Sequence, residues 1–169
     1  MSIKTLTDQR GTFNFYGVKG WDQTLVVTNK AKWTFRGMHY QTAPPQTKLV
    51  KVIQGSVIDF LYDLENHQVR IYTLTPDSEP LHVPDHYAHG YITLEPNTIF
   101  TYMVRGKWDP DSEHSIGWNT IPEIKTKMEE LLDGGIPIIS TKDNLANKTF
   151  IPKGKPTPEN DTWFDKNDR

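Results

Sequence analysis

The chain has 169 residues, with 19 Lys and Arg against 21 Asp and Glu and a formal charge of −2. That length suits one domain with a real core, and the near-neutral balance argues against a dedicated nucleic-acid binder, which carries a basic excess. With no cysteine at all, disulfide staples, thiolate zinc sites and a cysteine nucleophile are excluded. Residues 1–8 hold no apolar leader and no long apolar run follows, so the expectation is a soluble, cytoplasmic protein that needs no membrane.

In chain order, segments 48–53 and 56–62 are rich in Val, Ile, Leu and aromatics and flank Gln54-Gly55, a tight turn. Val69–Leu74 and Leu81–Val83 are two short runs with Thr75-Pro-Asp77 between them. Segments 91–94 and 98–104 repeat the arrangement around Glu95-Pro-Asn97. Short strands with regular turn signals predict an all-β sandwich or barrel rather than a βαβ fold. A helix is expected near Pro122–Leu132, because Ile121, Ile124, Met128, Leu131 and Leu132 share one helical face, the pattern of core packing. Thr120 with Glu123 fits a capping box, and Asp133-Gly-Gly135 supplies the stop. The domain is expected to cover 1–144. Residues 145–169 form a polar tail with Pro152, Pro156 and Pro158, in which Phe150, Trp163 and Phe164 are the candidate tethers.

Six histidines make this residue type the first place to look for chemistry. His39 lies in Arg36-Gly-Met-His-Tyr-Gln41, ahead of a Pro-rich loop. His89 lies in Pro84-Asp-His-Tyr-Ala-His-Gly-Tyr91, where the Pro and Gly mark a turn between strands. Taken singly, each is more often a hydrogen-bonded structural histidine than a catalyst. Arg36 and Lys48 are ordinarily solvated cations, and Tyr102 an ordinary half-buried strand residue.

Their joint order says more. Asp8-Gln-Arg-Gly11, Arg36-Gly-Met-His-Tyr-Gln41, Gln46-Thr-Lys-Leu-Val50, Asp59, the segment from Pro84 to Tyr91, Phe100-Thr-Tyr102, Pro110-Asp-Ser-Glu113 with Trp118-Asn119, and Ser140-Thr-Lys-Asp143 follow one another. This series resembles the dTDP-4-dehydrorhamnose 3,5-epimerase family of cupins from about Asp8 to Asp143. The resemblance implies an all-β cupin jelly-roll β-barrel with a short C-terminal helix, a homodimer, a nucleotide-diphospho-sugar substrate, and no metal or cofactor. By position, His39 matches the family's proton acceptor, Tyr102 its proton donor, and Asp143 the carboxylate paired with the base. Arg36, Lys48, His89, Glu113 and Lys142 match substrate-binding positions. Arg10 and Asn29 match contacts to the nucleotide end, supplied across the dimer interface. Trp108 falls where the family often carries a Tyr that stacks on thymine, a task an indole also performs. One departure stands out: Phe15 occupies a position that is usually Glu.

The residue types suit such a reaction. A 4-keto sugar has acidified C–H bonds at C3 and C5, and removing either proton leaves an enolate that needs positive charge beside its oxygen. Lys48, helped by Arg36, supplies that charge. An imidazole has the intrinsic pKa of a base near neutral pH, and a carboxylate sets its tautomer. Inversion then needs a proton from the opposite ring face, which a phenol can hold until an anion forms beside it. A metal-dependent cupin would want His-x-His where this chain has His39-Tyr40-Gln41, leaving His39 and His89 as the obvious ligands. The alternatives are a single-carbon epimerase or a 3,4-ketoisomerase on the same scaffold, and a non-catalytic sugar-nucleotide-binding cupin.

Overall fold

The structure, a computed structural model, describes residues 4–146. Its strands are β1 (Lys4–Asp8), β2 (Gly11–Tyr16), β3 (Gln23–Asn29), β4 (Phe35–Gln41), β5 (Thr47–Gln54), β6 (Val57–Asp63), β7 (Val69–Leu74), β8 (Leu81–Val83), β9 (Tyr87–Thr93), β10 (Thr98–Arg105) and β11 (Glu113–Ser115). They form a six-stranded sheet in the order β1-β2-β3-β10-β5-β8 and a five-stranded sheet in the order β11-β4-β9-β6-β7. Every strand pair in both sheets is antiparallel. The expected jelly roll is thus the observed fold.

Two apolar layers hold it together. Between the sheets, Val50, Val52 and Phe100 of one meet Val57, Leu61, Leu74, Tyr87 and Tyr91 of the other. On the outer face of the five-stranded sheet, Phe35, Met38, Ile58, Phe60, Ala88 and Ile92 pack against Trp118, Ile121, Ile124, Met128 and Leu132. That second layer is the berth of α1 (Pro122–Leu132), whose apolar stripe was legible in the sequence. β6 is buried on both faces for this reason, Ile58 and Phe60 toward the helix and Val57 and Leu61 toward the other sheet.

Two local expectations are corrected, those for His89 and for the start of α1. The expected turns at Gln54-Gly55 and Glu95-Pro-Asn97 are present and switch sheets: β5 and β6 belong to different sheets, as do β9 and β10. Each of these strands must bury an inward face against the opposite layer, and a turn that switches sheets satisfies both neighbours at once. His89 and Gly90 lie within β9, a strand buried throughout, not in a turn. The turn signalled by Pro84 closes earlier, where the Tyr87 amide donates to the Pro84 carbonyl at 3.2 Å. No capping box starts α1 either. Residues Trp118–Thr120 form a 3-10 turn, the Thr120 hydroxyl donates to the Gly117 carbonyl at 2.7 Å, and the N-cap is Ile121. Pro122 begins the helix instead, its φ preset and its missing N–H one of those a helix start leaves unpaired. The stop is as expected, Asp133 adopting φ 44°.

A second short helix, α2 (Thr141–Ala146), was not evident from periodicity, and the expected tail boundary at 144 falls inside it. Residues 147–169, with Phe150, Trp163 and Phe164, lie outside the described residues. Among the described residues no helix is long and apolar enough to cross a membrane.

Candidate active site

The site begins with an irregularity in β4. Arg36 is paired with Tyr91 and His39 with His89, so three steps along β4 span two along β9. Strict alternation would place Arg36 and His39 on opposite faces; the bulge turns both inward, while Phe35 and Met38 face α1. Glycine makes the bulge affordable in space. Gly37 sits at φ 134°, and a Cβ there would lie 2.4 Å from the Gly90 Cα.

His39 Nε2 donates to Asp143 Oδ1 at 2.5 Å, across 104 residues of chain. Asp143 is 1% exposed and its own amide donates to Ser140 Oγ at 3.0 Å, which fixes the first turn of α2 against β4. Burial would raise the Asp143 pKa, but the charges of His39 and Arg10 and hydrogen bonds from His39 and Ser140 bring it below its ordinary value. The carboxylate therefore stays charged and holds the Nε2–H tautomer, leaving Nδ1 of His39 as the basic nitrogen.

A second pair lies beside the first. His89 Nε2 donates to Asp59 Oδ2 at 2.8 Å, both side chains being fully buried. Tyr102, on β10 of the opposite sheet, meets His89 edge-on at 6.1 Å between ring centroids and Phe100 at 4.9 Å. Burial first, then the neighbouring Tyr91 and a hydrogen bond with it, pushes the Tyr102 phenol well above its ordinary pKa. The phenol keeps its proton at any physiological pH. Lys48 on β5 faces the same interior, and burial pulls its ammonium down to about 8 against the opposing charges of Glu113 and Asp59.

Arg36 lies deep, with Nε donating to Asn29 Oδ1 at 2.9 Å and the guanidinium 4.2 Å over the Phe13 ring. Both of its terminal nitrogens are buried with no hydrogen-bond partner among the described residues. An unmet buried donor costs about 1–3 kcal/mol, more when charged, so the position is poised for a ligand oxygen. Lys142 Nζ donates to Glu113 Oε2 at 2.5 Å; these two expected substrate contacts hold each other at the edge of the site. Burial works against the Glu113 carboxylate, yet the charges of His39, Lys142 and Lys48 and the Lys142 hydrogen bond keep its pKa below the ordinary value.

The remaining expected residues sit differently from one another. Trp108, half-buried, lies in the loop between β10 and β11. Asn29 is buried in its own chain, donating to Tyr91 Oη and the Thr98 carbonyl at 3.2 Å each. Arg10, at the β1–β2 turn, is 5% exposed and clamped by Asp8. Phe15 belongs to a cross-strand row with Leu25, Tyr102 and Val50, so an apolar ring stands in the row of the phenol where the family pattern has a carboxylate. Two contributors had not been assigned from the sequence. Asp59, present in the motif series without a role, backs His89. Gln41 accepts from the Asp109 amide at 2.9 Å and donates to the Lys107 carbonyl at 2.9 Å, gripping the loop on both sides of Trp108. The final Gln of the Arg-Gly-x-His-x-Gln motif was the available signal for that grip.

No group of three or more His, Asp or Glu among the described residues is arranged to hold a metal ion. The fold is that of a cupin-type jelly roll built around a buried polar site at one end of the space between its sheets. A sequence profile of the dTDP-4-dehydrorhamnose 3,5-epimerases matches residues 2–150. The chain belongs to that family of isomerases. The dTDP-4-dehydrorhamnose 3,5-epimerase of Neisseria gonorrhoeae is 31% identical over 167 residues, covering 90% of this chain and 49% of its own length, so the chain spans about half of that relative. The one from Methanothermobacter thermautotrophicus is 29% identical over 153 residues, 81% of each chain. The crystal structure of the Bacillus anthracis dTDP-4-dehydrorhamnose 3,5-epimerase, with TDP and PPi bound, is 32% identical and covers 85% of this chain and 89% of its own, with a TM-score of 0.63.

Proposed function

We propose that the chain epimerises a dTDP-4-keto-6-deoxyhexose at C3, C5 or both, through an enolate. The observation that carries this is the placement of His39, on the five-stranded sheet and paired with Asp143 of α2, opposite a high-pKa phenol on the six-stranded sheet, so that a sugar ring between the sheets would meet one on each face. His39 takes the C–H proton next to the ketone, and the C–H electron pair moves into the ring as the carbonyl oxygen becomes the enolate oxygen. Lys48 and Arg36, with His89 backed by Asp59, surround that oxygen with donors and positive charge. The enolate carbon then takes the Tyr102 proton on the opposite face, which inverts the centre. The imidazolium and the phenolate reset by exchange with solvent.

Binding of the nucleotide end draws on the TDP-bound relative. Trp108 stacks the base, and Lys142 and Glu113 lie at the rim for the sugar-nucleotide. β1 is an edge strand of the six-stranded sheet among the described residues, which supports assembly as a homodimer. The decisive experiment is incubation with a dTDP-4-keto-6-deoxyhexose in D2O, with deuterium at C3 and C5 read by NMR. Wild type should exchange at the carbon it inverts, and His39→Asn should lose about 10²–10⁴-fold in both exchange and inversion. Binding without exchange at either carbon would refute the reading.

A further inference from the structure

Arg10 and Arg36 enter the same buried region but are treated differently by it. Arg36 presents two terminal nitrogens that have no hydrogen-bond partner among the described residues. Arg10 is folded into a chain of charges. Asp8 Oδ1 accepts the Arg10 amide at 2.8 Å, and Asp8 Oδ2 accepts Nε at 2.9 Å and Nη2 at 2.5 Å. The fork that remains points its Nη1 at Asp143 Oδ2, 3.5 Å away. All three side chains are 6% exposed or less. The Arg10 carbonyl is tied as well, accepting the Lys30 amide at 2.8 Å. A guanidinium held by one carboxylate and facing a second is a good strut for that second carboxylate.

We propose that Arg10 is a positioning residue: held by Asp8, it fixes the oxygen of Asp143 that does not touch His39, and so orients the pair that abstracts the proton. This rests on the epimerase reading above. Among the described residues, the groups acting on Asp143 include His39 from β4, Arg10 with Asp8 behind it from the β1–β2 turn, and Ser140 before α2; Arg36 stands by Asp8, and Glu113, Lys142 and Lys48 lie on the His39 side. Removing the Arg10 cation takes away one of the charges that hold Asp143 ionised, so the carboxyl must titrate at higher pH.

Two variants test this, Arg10→Met and Arg10→Lys, with thermal melts to confirm folding. In deuterium exchange with the keto sugar, Arg10→Met should lose about 10–100-fold in kcat with KM little changed, by analogy with the outer partners of metal-bound histidines. Arg10→Lys, which keeps the charge without the fork, should recover part of it. Carbon-13 NMR of the aspartate carboxyls, with Asp143 assigned by Asp143→Asn, should show its titration moved upward in Arg10→Met. If Arg10→Met does not fold, the kcat and NMR comparison of Arg10→Lys with wild type decides. A rise in KM at unchanged kcat, or an Asp143 titration that does not move, would overturn the proposal; the former would return Arg10 to the nucleotide end. A moved titration in a protein whose wild type shows no exchange would uphold the strut and refute the epimerase reading instead.

Discussion

Replacing Tyr102 by Phe separates proton removal from proton return. The substitution keeps the ring, and with it the edge contacts to His89 and Phe100 at 6.1 and 4.9 Å. It deletes one hydroxyl and its hydrogen bond with Tyr91, a stability loss of about 0.5–1.5 kcal/mol that leaves the protein folded. The base remains complete, because His39 and Asp143 are joined at 2.5 Å on other elements, and Lys48 still faces the enolate. Deuterium should therefore enter the sugar with retention when His39 returns a proton to the face it came from. Inversion should fall by about 10²–10⁴-fold, which at 1.36 kcal/mol per decade is roughly 3–5 kcal/mol of barrier. Exchange should fall by less than about tenfold, since only the group on the far face is gone. The assay is a single time course in D2O, with NMR reporting deuterium content and configuration at C3 and C5. Loss of exchange and inversion in equal measure, or an undiminished inversion, would refute the assignment of the phenol.

Other consequences concern charge, selectivity and packing. Lys48 titrates near 8, so roughly nine-tenths is ammonium at pH 7; kcat/KM should decline above about pH 8, and Lys48→Met should lower activity and remove that limb. The same depression, from 10.5 to about 8, means that the folded chain binds fewer protons than the unfolded one between those values, so this residue makes denaturant stability rise with pH across that window. With Phe15 in an apolar row and Trp108 as the stacking platform, dTDP, UDP and GDP should bind with comparable affinity by calorimetry, and Phe15→Glu should restore preference for dTDP; strong dTDP selection in wild type would refute this. Gly90→Ala would set a methyl 2.9 Å from the Arg36 carbonyl and 2.7 Å from Met38 Sδ, and should cost about 1–3 kcal/mol in chemical denaturation.

Much of this molecule is written locally. The strands of the middle of the chain follow from runs of Val, Ile and aromatics between turn residues, and α1 from an apolar stripe at helical spacing, because burial on one face leaves its period in the sequence. For the site it was the resemblance to the epimerase family that singled out His39, Tyr102, Lys48, His89 and Asp143 as candidates before any contact was known. β4 was harder to see as a strand, since Arg36, Gly37, His39 and Gln41 replace the apolar residues that would announce one. Which sheet each strand joins was not legible at all. A turn such as Gln54-Gly55 looks the same whether it closes a hairpin or switches layers, and only the pairing of β5 with β10 and of β6 with β9 decides it. The tertiary structure alone made the bulge that turns both Arg36 and His39 inward, because a one-residue change of register depends on Gly90 across the sheet. It alone set Arg10 beside Asp143, and it gave Gln41, a motif residue without a role, its grip on the loop around Trp108, contacts between side chains and loops far apart in sequence. Such contacts leave no period along the chain, because they are fixed by the closure of two sheets on each other and not by any neighbour in the sequence.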